Sequence, residues 1–401
     1  MQKRQLAAPR LAPVRLSQRG SDALDGLRAA AAILVVLHHV RLWLFAPPGE
    51  VTHWTLLSRV FYRVTALGAE YVLIFFVLSG FFIGSAVGRK VADGRLRWRD
   101  YLLDRATRLY IVLLPALLLT VILDAVGSAL AGPHSLYNGH GSYALAPINL
   151  SGAHTGVVAF LGNLAFLQDL HYVTTFGSNL PLWSLAFEFW FYVAFPAMVA
   201  LMLPRTGTKG RVVAGGLILW SLFLLRGNLM FFAIWLAGVA IAYFPRQPIR
   251  MTPDRARALA AAGIVFLAGT LGFWVGKGGK RTGEVLIALG TVLVIFAFSH
   301  AYTGAALKGR APFGRYASRL AKSSFTLYVV HAPILLFLSA TTIRRREALW
   351  QPTAGRMVAG VVLTAVIVGL AEVISWGTER RTAAVRSWLG TRTWTSPRPR
   401  S

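Results

Sequence analysis

LDGLRAAAAILVVLHHVRLWLF, residues 24–45, is the first apolar run in the chain long enough to cross a membrane, and three polar sites interrupt it: Asp25, Arg28, and the pair His38 and His39. At the helical rise per residue, Arg28 and His39 stand roughly 16 Å apart, about half of a hydrocarbon core. If Arg28 marks one surface, His39 lies near the midplane. Ionisable residues are costly inside an apolar span, and those kept there face a bundle interior, a water-filled cavity or a reaction path. The stretch reads as a transmembrane helix that carries titratable chemistry into the membrane.

The rest of the chain has the same character. Hydrophobic residues make up 55% of it and charged residues 14%, with a mean hydropathy of +0.56, which is the composition of an all-α polytopic integral membrane protein. The 42 Lys and Arg outnumber the 15 Asp and Glu. No basic soluble module accompanies that excess, so it argues for cytoplasmic loops facing anionic headgroups and against a nucleic-acid partner. The absence of cysteine excludes disulfides, thiolate metal sites and a cysteine nucleophile.

Outward from the first helix, residues 1–23 form a basic cytoplasmic arm with Lys3, Arg4, Arg10, Arg15 and Arg19, and no small-residue cleavage site follows the apolar run, which reads as an uncleaved signal-anchor. Further spans are predicted near 69–88, 109–130, 183–203, 212–225, 228–244, 258–276, 284–303, 324–341 and 357–376. That gives about ten transmembrane helices with both termini cytoplasmic, a single membrane domain over 24–376 and a basic tail over 377–401. Roughly three quarters of the Lys and Arg then fall on the cytoplasmic side, as orientation by positive charge requires. The expected location is the inner (plasma) membrane of a bacterium. Residues 131–182 contain no Lys or Arg, and they hold His134, His140, His154 and His171 beside VVAFLGNLAFL (157–167), which is too short to span and reads as re-entrant or interfacial. Those histidine spacings match no zinc pattern, so no metal is expected, and the segment suits an outer loop that meets a polar acceptor.

Five motifs stand in a fixed order. Arg28 and His39 make an Arg-X10-His pattern after LDGLRA; FFVLSGFFIG follows at 75–84; Arg105-Ala-Thr-Arg108-Leu-Tyr precedes Pro115; PLWSLAFEFWFY occupies 181–192; SFTLYVVHAPIL occupies 324–335. In this order they resemble the membrane-bound acyltransferase-3 family. The resemblance implies a ten-helix enzyme that moves an acyl group, often acetyl, from cytoplasmic acyl-CoA to a hydroxyl of a carbohydrate or another acceptor, in many members on the outer face. The chain departs from the family at Ala186 and Phe187, where Ser and Val are usual, and at Arg381, where Pro is common. These departures bear on substrate specificity and remove no ionisable group.

The residues support that chemistry on their own terms. A neutral hydroxyl attacks a thioester poorly, so transfer needs a base or a nucleophilic carrier, and imidazole serves as either. His39 is the candidate, against the reading of a histidine satisfied by a neighbouring helix. His38 points about 100° away and reads as supporting. Glu188 lies five residues inside its span and is expected to orient the His39 imidazole, the competing reading being a protonated helix-holding carboxyl. Arg28, Arg105 and Arg108 are the candidate CoA-phosphate ligands, or else positive-inside anchors, and Asp25 pairs with Arg28 at helical spacing. Trp183 and Ser184 support the site. His331 reads equally as a wall of the donor path or as packing. Ser79, with no acid or base partner in sequence, reads with Gly80 as a close helix contact.

Three readings of function remain open: an O-acyltransferase using acyl-CoA, a proton-coupled transporter or flippase of a glycan or small solute, and a non-catalytic subunit of a polysaccharide assembly. The acceptor is a cell-envelope glycan, a secreted oligosaccharide or a secondary metabolite such as a macrolide. The other partners are the lipid bilayer and, where the chain self-associates, a second copy of it.

Overall fold

The structure, a computed structural model, describes residues 16–131, 137, 152–171, 173–204, 206–243, 252–274, 280–301, 313–342 and 349–389. Among them the regular elements are helical: α1 (Gln18–Leu44), α2 (Leu56–Val64), α3 (Gly68–Ala92), α4 (Trp98–Ala131), α5 (Gly152–Thr155), α6 (Val157–Leu164), α7 (Trp183–Met202), α8 (Thr208–Leu225), α9 (Leu229–Tyr243), α10 (Pro253–Trp274), α11 (Lys280–Ala301), α12 (Gly314–Ala321), α13 (Ser324–Thr342), α14 (Ala354–Gly377) and α15 (Thr382–Trp388). Each of the ten predicted spans overlaps one of these helices over its described residues. Eight helices are long and apolar enough to cross a membrane, and Leu229–Tyr243 and Arg257–Thr270 are shorter apolar stretches. The chain is a multi-pass membrane protein. Its outward faces carry large apolar side chains, with Val212, Leu219 and Val265 each 70% exposed, which lipid accommodates and water does not.

Several boundaries differ from the sequence reading. Helix α1 begins six residues before Leu24, because the Ser17 hydroxyl accepts the Gly20 N–H and caps the helix inside the expected arm. Helix α4 begins at Trp98, so Arg105 and Arg108 lie about two and three turns inside it and not at its start. The short 157–167 stretch is helix α6 followed by a non-helical return. Beyond α14 the chain folds back as α15 and docks Arg386 onto Asp104 of α4. Arg205, His134 and His140 lie outside the described residues.

At the centre α1 packs against α3, α11, α12, α13 and α14, while α3 lies along α9. The close approach of α3 and α9 depends on glycine. A Cβ at Gly80 would collide with the Trp235 carbonyl oxygen, and one at Gly238 with the Val77 carbonyl oxygen and, at 2.9 Å, the Phe81 nitrogen. In lipid, where no hydrophobic force drives helix against helix, such backbone proximity is the main source of packing energy. Gly80→Ala and Gly238→Ala are each expected to cost about 1–3 kcal/mol, seen as a lowered thermal transition in nanodiscs. Gly216→Ala, with open space around it, is the control, and equal small shifts at all three positions would contradict this packing.

Candidate active site

The pocket between α1, α3, α4, α7 and α13 has a volume of about 350 Å³. Along α3 its lining extends from Arg89 to Val72, roughly 25 Å at the helical rise, so it is a shaft along most of one membrane-length helix. Arg28, Arg89, Arg105 and Arg108 line it together with Asp25 and Ser324. Further along α3 stand Ser79 and Phe75, and Glu188, Tyr192, Ser184 and Tyr328 line it from α7 and α13.

Arg28 and Arg105 are each held by defined partners. Arg28 Nη2 donates to Ala321 O at 2.7 Å, where α12 ends, and pairs with Asp25 at 3.4 Å. The Arg105 guanidinium pairs with Asp104, the carboxylate that also receives Arg386 from α15. Arg105 also lies 5.9 Å from the Tyr192 ring centroid, so aromatic and carboxylate together aim it at the shaft. Arg108 shares its face three residues on.

Glu188 is not the partner of His39. The Ser79 hydroxyl donates to Glu188 Oε1 at 2.7 Å, and the Tyr192 hydroxyl also donates to that oxygen. Trp235 Nε1 donates to Ser79 Oγ at 3.3 Å. The partners that sequence could not supply to Ser79 come from α7 and α9, far along the chain from α3. Trp183 lies in the aromatic cluster of Phe76, Phe187 and Phe231, and Ser184 Oγ lies 2.7 Å from the Tyr328 hydroxyl.

The histidines form a separate group. His331 Nε2 lies 3.2 Å from His39 Nδ1, His331 Nδ1 lies 3.1 Å from Leu327 O, and His39 Nδ1 lies 2.9 Å from Val35 O. A carbonyl only accepts, so with both rings neutral both Nδ1 atoms carry hydrogen; the single His39 Nδ1–H is then shared between Val35 O and His331 Nε2, and His39 Nε2 keeps its lone pair. His38 Nδ1 bonds Thr65 O at 2.7 Å, and its ring fills the space a Cβ at Gly68 would take, which makes it a clamp between α1 and the start of α3. Tyr328 separates the shaft from the pair: it lines the shaft, and its ring centroid is 6.0 Å from that of His331. His154 and His171 join no group of three or more possible metal ligands among the described residues.

Fold and site together define a membrane protein with a cation-mouthed shaft and a histidine pair behind one of its walls. The chain belongs to the acyltransferase domain family, which matches residues 21–375. Curated relatives include proteins of Staphylococcus aureus strains MSSA476 and COL that bear the name "Putative O-acetyltransferase". The first is 26% identical over 228 residues, covering 55% of this chain and 31% of the relative. The second is 26% identical over 223 residues, covering 54% of this chain and 30% of the relative. The aligned region is thus less than a third of each relative's length. No solved structure matches the chain significantly.

Asp104 is 2% exposed and carries two guanidinium partners. Asp104→Asn leaves both without their counter-charge and is expected to cost about 3 kcal/mol or more. Asp100→Asn, which breaks a pair with the largely exposed Arg97, is expected to cost less than about 1 kcal/mol. Equal effects of the two in a thermal unfolding series would contradict the role of Asp104 as the anchor of Arg105.

Proposed function

We propose that the protein is a membrane O-acyltransferase that takes an acyl group, acetyl being the expected one, from acyl-CoA at the cytoplasmic face and places it on a hydroxyl of a carbohydrate or glycan acceptor at the outer face. The observation that carries this reading is the shaft, with four guanidinium groups toward one end and a polar, aromatic wall along the rest. Guanidinium forks suit phosphate oxygens, and a narrow shaft suits a long, thin arm that brings a reactive end to the far wall. The excess of basic residues on alternate loops supports placing the guanidinium end, with both termini, on the cytoplasmic side of the inner membrane. The membrane domain then runs over 24–376, flanked by cytoplasmic segments, and no metal is needed.

In this scheme the Tyr328 ring moves aside as the substrates bind, and His39 Nε2 takes the proton of the acceptor hydroxyl as the new C–O bond forms at the thioester carbon. The C–S bond breaks, and the CoA thiolate recovers the proton from the imidazolium. His331 supports the reaction by accepting the His39 Nδ1–H and fixing the tautomer in which Nε2 is the base. Glu188, with Ser79 and Tyr192, forms the polar wall along which the donor lies. The reach of the shaft to Ser184 and Tyr328 favours direct delivery over an acyl-histidine carrier.

The test is release of free CoA from labelled acetyl-CoA by the purified protein in nanodiscs, with a panel of glycan acceptors. Wild type is expected to show acceptor-dependent release, folded His39→Ala to lose it while still binding CoA, and Arg105→Ala to bind CoA about tenfold more weakly. CoA binding indifferent to Arg105, or solute movement across vesicles without CoA release, would overturn the reading, the latter in favour of a transporter.

A further inference from the structure

Pro333 lies inside α13, and having no N–H it leaves the carbonyl four residues earlier, Val329 O, without its helical partner. Val329 is fully buried in the bundle, where an unmet carbonyl costs free energy. The missing donor comes from outside the helix. Asn179 Nδ2 donates to Val329 O at 2.8 Å and to Thr120 Oγ1 of α4 at 3.1 Å. Thr120 spends its own hydroxyl hydrogen on Ala116 O at 2.8 Å and so offers Asn179 a lone pair.

Asn179 is itself held in place. Gly177 turns the chain with φ +57°, a conformation that favours glycine, and delivers Ser178 to buried Asp124, whose carboxylate accepts from Ser178 N at 2.8 Å and from Ser178 Oγ at 2.5 Å. Two residues beyond Asn179, the Pro181 carbonyl accepts from the Tyr328 hydroxyl at 3.0 Å. This short segment ahead of α7 therefore grips α13 at Tyr328 and Val329, just before His331.

We propose that Asn179 is a positioning residue for the His39–His331 pair: by supplying the N–H that Pro333 withholds, it fixes the section of α13 that sets His331 Nε2 against His39 Nδ1. Only its kinetic consequence rests on the acyltransferase reading. The side chain touches neither histidine; it acts through the backbone of α13.

The experiment uses the full chain in nanodiscs, labelled with 15N-histidine, with Asn179→Leu and Asn179→Asp, neither of which presents the amide donor. Both variants are expected to shift the ring-nitrogen signals of the His39–His331 pair, assigned with His331→Asn, and to lower the unfolding temperature by several degrees. In a Pro333→Ala background, where the restored backbone N–H serves Val329 O, Asn179→Leu is expected to lose most of its effect on unfolding. Where transfer is measured, kcat falls about tenfold or more with the donor KM unchanged. Unmoved histidine signals in both Asn179 variants would overturn the proposal, as would equal damage by Asn179→Leu in the wild-type and Pro333→Ala backgrounds. Should Pro333→Ala not fold, the two Asn179 variants decide alone. The spectroscopic and unfolding readouts need no acyl transfer, so failure of the transferase reading leaves them decisive.

Discussion

Hydrocarbon offers no hydrogen bonds, so every polar group this chain brings between its helices has to be answered by another part of the chain. That constraint organises the bundle. Ser79 of α3 and Tyr192 of α7 both donate to Glu188, and Trp235 of α9 donates to Ser79, so three helices meet on one carboxylate and its hydroxyls. Asp104 gathers Arg105 and Arg386, Arg28 finds the Ala321 carbonyl at the end of α12, and His39 finds His331. Most of these contacts span elements distant in sequence. The polar residues that make the site are also the fasteners that align its helices.

The same constraint explains what sequence could and could not convey. Helices were legible, because a span of lipid-compatible length is a one-dimensional property of composition. Arg28 with Asp25 was legible as well, since three residues along a helix bring two side chains together whatever surrounds them. Partnerships between helices were not legible. Glu188 was expected to orient His39, because His39 was placed near the midplane and Glu188 a short way inside the outer end of its span, but depth along two helices says nothing of how each is rotated about its axis. Rotation turns Glu188 toward Ser79, and it turns His39 toward His331 of α13. Tyr192, one turn after Glu188, carried a signal in its spacing that points both hydroxyl and carboxylate to one face. Asn179 carried none: its role depends on the missing N–H of Pro333, far along the chain.

Separation of the two halves of the site has a chemical sense. The guanidinium groups keep company with carboxylates and phenols along a shaft, whereas the histidines form their own pair behind Tyr328. A cation facing His39 would oppose formation of imidazolium during proton transfer. Arg41, two residues on, is engaged by Thr65 O and the Tyr62 ring. On the proposed reading, the roughly 16 Å along α1 between Arg28 and His39 limits that opposition and leaves His39 free to cycle as the base. Conversely, on the same reading, the positive mouth loses nothing by being distant from the reacting carbon, provided the donor is long enough to join them.

That proviso is the centre of the account, and a cryo-electron microscopy structure with a non-hydrolysable acyl-CoA analogue addresses it directly. The account predicts the phosphates against Arg28, Arg105 and Arg108, the arm along Ser79 and Glu188, and the acyl end at the Tyr328 wall. An analogue bound with its phosphates away from these three arginines, or bound wholly outside the shaft, would contradict it.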